Sequence, residues 1–346
     1  MKKKNWLSDH KNHCLNFRLK NDFVKTQILK INEKIDELIK NIKNEKVNLD
    51  IEISKIISKK IKFRITNFSN IGLLCSGGED SIYLLIILVK KLKIKPKLLC
   101  YQTKNNFSDV QRIRKISVIL NLELFLYNKH NLDRRYAYEK FVASQKRQPN
   151  DIAQPVHNAL YFEAINKHNC DIVLDGQFCD TVMLSNPQNH FLYWMKKYPN
   201  MLRTIIKFLN FLPLNKDTKI KSRLIKLKSL MDNNNPAMHI LKLNNLEEPD
   251  NDLISLTEKL IKKFGVQLTF SIYFFYCLLF VRERDKYLLC PNLFSPFDDF
   301  KFAILSTKNF EQVINNYTRK KPIRNLCKKT FPTLFQFQNT LPFELE

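Results

Sequence analysis

With 346 residues and 58 Lys and Arg against 33 Asp and Glu, the chain carries a formal charge of +25. Such a field favours polyanions such as nucleic acid, anionic membrane surfaces or phosphorylated substrates. The 44% apolar content excludes a disordered polyelectrolyte, and the length calls for a main α/β domain with a smaller helical portion.

Met1 to Trp6 is basic but no apolar run follows, so no secretory signal is expected and the compartment reads as cytoplasmic. From Phe23 to Ile42, apolar residues recur at Ile28, Ile31, Ile35, Leu38, Ile39 and Ile42, the pattern of an amphipathic helix that packs on the main domain or on a partner. A second helix is expected over Leu49 to Ile61. Next comes an apolar strand, Ile71 to Cys75, then the loop Ser76-Gly77-Gly78-Glu79-Asp80-Ser81, a helix to about Leu92 and a strand at Lys97 to Tyr101. Strand, helix, strand is the unit of a parallel sheet. The helix Ser108 to Leu120 and the strand Glu123 to Tyr127 continue it, a polar stretch runs through Asn150, and helix Val156 to His168 feeds the strand Asp171 to Leu174. Beyond Pro187 the pattern is mainly helical, with polar interruptions at 232–236 and 247–252. The longest apolar run, Leu268 to Val281, is short of the ~20 residues of a spanning helix and reads as a buried one.

The eight cysteines (14, 75, 100, 170, 179, 277, 290 and 327) are scattered without a CxxC pair or a Cys/His cluster, which argues against a zinc or disulfide framework. Basic residues are scattered too, so nucleic acid stands as a partner that charge alone does not favour.

Only five glycines occur, where average usage gives about 24, and two form the pair Gly77-Gly78. Adjacent glycines let successive backbone N–H groups converge on an anion at a helix N-terminus, and the Ser76 and Ser81 hydroxyls can add donors. Asp80 would repel bare phosphate, so its place in the loop makes sense when Mg²⁺ bridges carboxylate and pyrophosphate. The alternative is a plain strand-to-helix turn with a serine cap, which accounts for one serine and one glycine but not for the set. Neither GxxxxGK[ST] nor GxGxxG is present. A second loop, Asp175-Gly176-Gln177-Phe178-Cys179-Asp180, also ends a strand, and ligands of such sheets sit beyond carboxyl ends of strands.

The first loop resembles the SGGxDS loop of the ATP pyrophosphatase superfamily, whose members split ATP between the α and β phosphates and adenylylate a substrate. Ile172 to Asp180 resembles the apolar strand and G-x-G-x-D loop of the asparagine synthetase synthase domain, and Pro155 stands where that family has a Pro-led helix. Ser295-Pro296-Phe297-Asp298-Asp299 resembles its P-F-L-D segment, and Lys320 to Arg324 its K-x-x-x-R. These matches, in the family's order, cover about residues 50 to 330. The resemblance implies a Rossmann-like, adenine nucleotide alpha hydrolase-like fold, a parallel sheet flanked by helices with a mainly helical C-terminal portion. With the amphipathic N-terminal pattern, the expected organisation is an N-terminal amphipathic helical segment at 1–48, the synthetase-like domain implied by the resemblance at 49–330 (α/β core about 65–187, helical part about 188–330) and a tail at 331–346.

By the same resemblance, ATP would lie against Cys75, Ser76, Gly77, Gly78, Glu79, Asp80, Ser81, Gln102, Asp175 and Gly176. Mg²⁺ would be held by Asp80 and Asp180, and Lys320 would stabilise charge on the phosphate or the tetrahedral intermediate. Lys321 is adjacent, so the role could slip by one position. The chain departs from the family at Gln177, Phe178 and Thr181, where acidic residues and the second glycine are expected; aspartate-to-asparagine conversion is therefore disfavoured. Residues 1–48 are too few for the family's glutaminase domain, so ammonia is expected from solution, from a separate glutaminase subunit, or as another amine. The expected function is an ATP-dependent amide-forming ligase acting on a small-molecule carboxylate. Two alternatives are a transfer RNA modifying enzyme that uses lysine or sulfur transfer, with Cys179 as an exposed low-pKa thiol, and a non-catalytic nucleotide-binding relative.

Overall fold

The computed structural model describes residues 6–15, 17–41, 48–185, 235–244, 248–279, 285–313 and 320–335, with 198, 200, 204 and 246. Helices α1 (Trp6–Leu15), α2 (Asn21–Asn41) and α3 (Leu49–Ile65) precede strand β1 (Ile71–Leu74). Then follow α4 (Glu79–Ile86), β2 (Lys97–Tyr101), α5 (Phe107–Leu120), β3 (Leu124–Tyr127), α6 (Arg134–Gln145), α7 (Gln154–Asn166), β4 (Ile172–Leu174) and a short α8 (Cys179–Val182). The later described elements are α9 (Pro236–Leu243), α10 (Asn251–Phe264), α11 (Val266–Tyr273), β5 (Leu293–Phe294), α12 (Phe300–Lys308), α13 (Phe310–Val313) and α14 (Lys321–Thr330).

The five strands form one sheet in the order β3-β2-β1-β4-β5, and every neighbouring pair is parallel. This is the expected α/β architecture. Residues of β1 and β4 are buried throughout, as parallel strands covered on both faces must be, which is why their sequences are continuous apolar runs rather than alternating ones. The chain leaves β1 toward β2 and β3 and returns on the other side through β4 and β5. Strand order therefore reverses between β1 and β4, where Leu73 lies opposite Leu174. The loops after these two strands open from the same crevice, the position at which ligands bind in sheets of this kind.

Helix formation follows local chemistry. The Asn48 side chain accepts from the Ile51 N–H to cap α3, whose Ile53, Ile57 and Ile61, one turn apart, are fully buried, each contributing about 1.5–3 kcal/mol of transfer free energy. Helix α4 begins at the Gly78 cap and runs into a wider π turn over Ile87–Lys91, where the Leu92 N–H bonds the Ile87 carbonyl at 3.0 Å. Two elements differ from the sequence expectation. The polar stretch before Asn150 contains α6, whose buried side is only Ala137 and Phe141. Leu293–Phe294, in the stretch expected to be helical, adds the edge strand β5.

The chain divides into two compact units, one drawn from Met1–Phe17, Lys43–Met183 and Leu279–Glu346, the other from Arg18–Ile42 and Leu184–Leu278. The first contains the sheet. Within the second, α2 turns Val24, Ile28 and Ile35 inward and pairs Lys25 with Asp250 at 2.7 Å and Asp36 with Lys263 at 2.5 Å. Asp250 caps α10 through the Leu253 N–H. Helix α11, inside the apolar run expected to be a buried helix, is buried from Leu268 to Tyr273. No described helix is long and apolar enough to cross a membrane.

Candidate functional site

The loop after β1 is shaped by its two glycines. Gly77 has φ +83°, and a Cβ there would lie 2.0 Å from the Asp109 carbonyl oxygen on the first turn of α5. Only glycine satisfies both the backbone angle and the close approach. Gly78 caps α4 with extended backbone; its N–H reaches the Ser76 hydroxyl at 3.2 Å, and the Ser81 hydroxyl donates to its carbonyl at 3.0 Å. Ser76 is exposed while Cys75 and Ser81 are buried. The Cys75 N–H is spent on the Leu99 carbonyl, and burial, only partly offset by Ser81 and the Gly77 backbone, pushes its thiol up to about 11.

The loop after β4 closes on the first. A Cβ at Gly176 would stand 3.1 Å from the Asp80 Cβ and 3.2 Å from the Ser81 backbone nitrogen, so glycine here lets the two loops touch. Phe178, at the position of the family's second glycine, takes a left-handed conformation (φ 66°) and lies parallel to Tyr287 with ring centroids 6.5 Å apart. Asp180 follows in the first turn of α8, with its side chain 63% exposed.

Lys320, the residue before α14, joins the loops. Its ammonium lies 2.7 Å from both Asp80 carboxylate oxygens and 2.7 Å from Asp180 Oδ1. One turn later Arg324 pairs with the buried Glu79 at 2.6 Å. The K-x-x-x-R spacing thus sets one cation at the left-handed residue before α14 and the other in its first turn, where they meet the adjacent acids Asp80 and Glu79 at the start of α4. Lys320, rather than Lys321, faces the carboxylates. Burial raises the Asp80 carboxyl to about 6; Lys320 opposes the shift and Asp180 adds to it. Burial alone would lower the Lys320 ammonium, but Asp80 and Asp180 outweigh it and hold it above its ordinary value.

Two carboxylates converging on one cation at the mouth of a glycine loop also suit a hydrated divalent ion that takes its remaining ligands from phosphate oxygens. Among the described residues no group of three or more His, Cys, Asp and Glu side chains could hold a metal, so an ion here would depend on ligands from a bound polyanion.

Asp175 is buried, and burial raises its carboxyl to about 6 against the pull of Lys286. Its Oδ1 accepts from the Gln177 N–H at 3.2 Å, while Oδ2 has no hydrogen-bond partner among the described residues. The amide nitrogen of Gln177 lies 3.3 Å from the His157 ring. Burial, reinforced by Lys286, pushes His157 down to about 3, so the ring is neutral. Gln102 is half-buried at the end of β2 with its N–H on the Tyr127 carbonyl at 2.7 Å; no described contact joins its side chain to the glycine loop. In the P-F-x-D segment Phe297 packs near Tyr83, Asp299 caps α12 through the Lys301 N–H, and burial raises the Asp298 carboxyl.

The expectation of an exposed, acidic thiol at Cys179 is not met. Cys179 is fully buried, and burial with the neighbouring Asp80 and Asp180 charges holds its thiol well above the ordinary value despite Lys320. His168 is structural: it stacks on Phe125 and bonds the Tyr127 hydroxyl; His190 lies outside the described residues. Sequence reasoning missed Arg112, which donates to the Gly77 carbonyl at 2.8 Å and to Asp109 at 2.6 Å; nothing in an amphipathic helix distinguishes this arginine from its neighbours.

No family model matches the chain, and no curated protein does. Among solved structures it is similar to the NMN synthetase from Francisella tularensis, at 21% identity over 41% of this chain and 58% of that one, with a TM-score of 0.28. The match thus spans little more than half the length of that synthetase. A likeness of this extent says nothing of activity, which rests on the geometry of the two loops.

Proposed function

We propose that the chain is an ATP-dependent ligase of asparagine synthetase type that forms AMP and pyrophosphate while joining a small-molecule carboxylate to ammonia or another amine. The observation that carries this reading is the meeting of Asp80, Asp180 and Lys320 beside the Gly77-Gly78 loop at the switch point of a parallel sheet. Phosphate chemistry needs such concentrated, pre-placed charge.

Ser76, the Gly78 N–H and Ser81 are the groups that would take the pyrophosphate, with the N-terminus of α4 behind them. Asp80 and Asp180 would hold Mg²⁺, which when bound supplies charge neutralisation for the leaving pyrophosphate. A substrate carboxylate oxygen attacks the α phosphorus and pyrophosphate departs; the amine then attacks the acyl carbon and AMP leaves. Among the described residues Lys320 is the cation shown to reach both carboxylates, and once they turn to another ion its ammonium can follow the charge developing on the phosphate or the tetrahedral centre. Gln177 beside neutral His157 replaces the family's acidic residue, which speaks for a carboxylate other than aspartate.

Burial of Cys179 speaks against sulfur transfer to transfer RNA. A non-catalytic relative would carry the cost of desolvating Lys320 and Asp80 without use for them. The test is pyrophosphate release from ATP and Mg²⁺ with ammonium present, across a panel of carboxylates and bulk transfer RNA. Release that depends on one carboxylate and vanishes in Asp80→Ala is expected; stimulation by RNA alone, or silence across the panel with ATP bound, would overturn it.

A further inference from the structure

The Gly77-Gly78 peptide can present either face to the loop, because two successive glycines meet little steric resistance to its rotation. The strongest hold on the face is on the carbonyl side. The Arg112 guanidinium donates through Nη1 to the Gly77 carbonyl at 2.8 Å, and in a planar trans peptide the following N–H points the opposite way. Holding that carbonyl toward α5 therefore aims the Gly78 N–H toward the Ser76 hydroxyl, 3.2 Å away, on the side where Ser76 is exposed.

Arg112 is itself held from two directions. Asp109, one turn earlier on α5, accepts from the same Nη1 at 2.6 Å, and both side chains are largely buried, 10% and 13% exposed. From the other direction comes the turn after α14. The Leu334 carbonyl accepts from Arg112 Nε at 3.2 Å, and the guanidinium lies 5.0 Å from the centre of the buried Phe335 ring, a cation–π contact. Phe335 thus stands one residue away from the glycine loop, with Arg112 between them.

We infer that Arg112 is a positioning residue that keeps the Gly78 N–H turned toward the phosphates of a bound nucleotide, and that the Leu334-Phe335 turn holds Arg112 in that role. The inference rests on the proposed nucleotide site. Lysine at position 112 could place one charge near the Gly77 carbonyl but could not span Asp109, Gly77 and Leu334 with a planar fork.

The test compares affinity for α,β-methylene-ATP with Mg²⁺ and for adenosine, by calorimetry on the full chain and on Arg112→Met, Arg112→Lys and Phe335→Ala. Because the effect is on a phosphate donor, Arg112→Met weakens the triphosphate about tenfold, the worth of one charge-assisted hydrogen bond, and leaves adenosine unchanged. Arg112→Lys and Phe335→Ala shift the triphosphate-to-adenosine ratio in the same direction by a smaller factor, and they decide the matter if Arg112→Met does not fold. A ratio that stays at the unsubstituted value while Tm falls would make Arg112 a structural residue and overturn the inference alone. Failure of the unsubstituted chain to bind either ligand would overturn the nucleotide reading beneath it.

Discussion

The Lys320 ammonium sits 2.7 Å from each carboxylate oxygen of Asp80, 240 positions earlier in the chain. The contact ties the last described α-helix to the loop after the first strand. It makes the fold of α14 and the charge of the site one problem.

Removing the cation leaves Asp80 partly buried beside Asp180. Lys320→Met is expected to destabilise the fold by about 3 kcal/mol, the cost of an uncompensated buried charge, and to abolish pyrophosphate release. The double variant Lys320→Met/Asp80→Asn should recover much of the stability but none of the activity. Urea midpoints and pyrophosphate release on the four proteins of this cycle check both expectations.

Gly77→Ala is expected to be more damaging than Gly78→Ala. At position 77 a methyl group would meet the Asp109 carbonyl at 2.0 Å with φ at +83°, whereas at 78 its nearest neighbour is the Ser76 hydroxyl at 3.2 Å. The strained conformation alone costs about 1–3 kcal/mol, and the backbone clash adds to it. Thermal denaturation of the two variants should differ by several degrees.

Asp175 gives a pH signature. Its folded carboxyl is raised from 3.8 to about 6 by burial, so the folded state binds the proton more tightly than the unfolded one. Its contribution is therefore full below about pH 4 and is lost as pH rises through about 6, a change on the order of 3 kcal/mol. Asp175→Asn should remove this component, so that the difference in stability between variant and parent shifts in the variant's favour between pH 4 and 7. A difference that is flat with pH would place the Asp175 charge elsewhere.

Much of this architecture is legible before any coordinates. Strands β1 and β4 announce themselves because both faces are covered and every residue is apolar, β2 and β3 read as short apolar runs despite Lys97 and the half-buried edge position of β3, and the glycine loop stands out in a glycine-poor chain. The two-residue β5, between Pro291 and Pro296, is too short to show any periodicity. Helix α6 hides because only Ala137 and Phe141 are buried on it. Within the site, Lys320 is legible only through the resemblance, since no local pattern tells a lysine paired with a distant aspartate from one in solvent. Arg112 was not reached, because its role depends on a backbone carbonyl 35 residues away, and backbone groups leave no trace in residue identity. The exposed thiol expected at Cys179 failed for a related reason: the short helix α8 turns it under the loop, and only the packed structure shows which way.

Arg324 and Glu79 supply a control at the rim of the site. Glu79 is nearly fully buried and pairs with Arg324 at 2.6 Å, so Arg324→Met should destabilise by about 3–5 kcal/mol. With the pair bracing α4 against α14, conditions that restore folding, such as lower temperature, are expected to restore pyrophosphate release. Activity that stays lost in the refolded variant would move Arg324 into the reacting centre.

The most direct test of the central claim is ATP affinity with and without Mg²⁺, measured on the unsubstituted chain and on Asp80→Asn. The site described here predicts that Mg²⁺ tightens ATP binding to the unsubstituted chain and that Asp80→Asn, still folded, loses this tightening. Binding that ignores both Mg²⁺ and the substitution would contradict it, as would no binding at all.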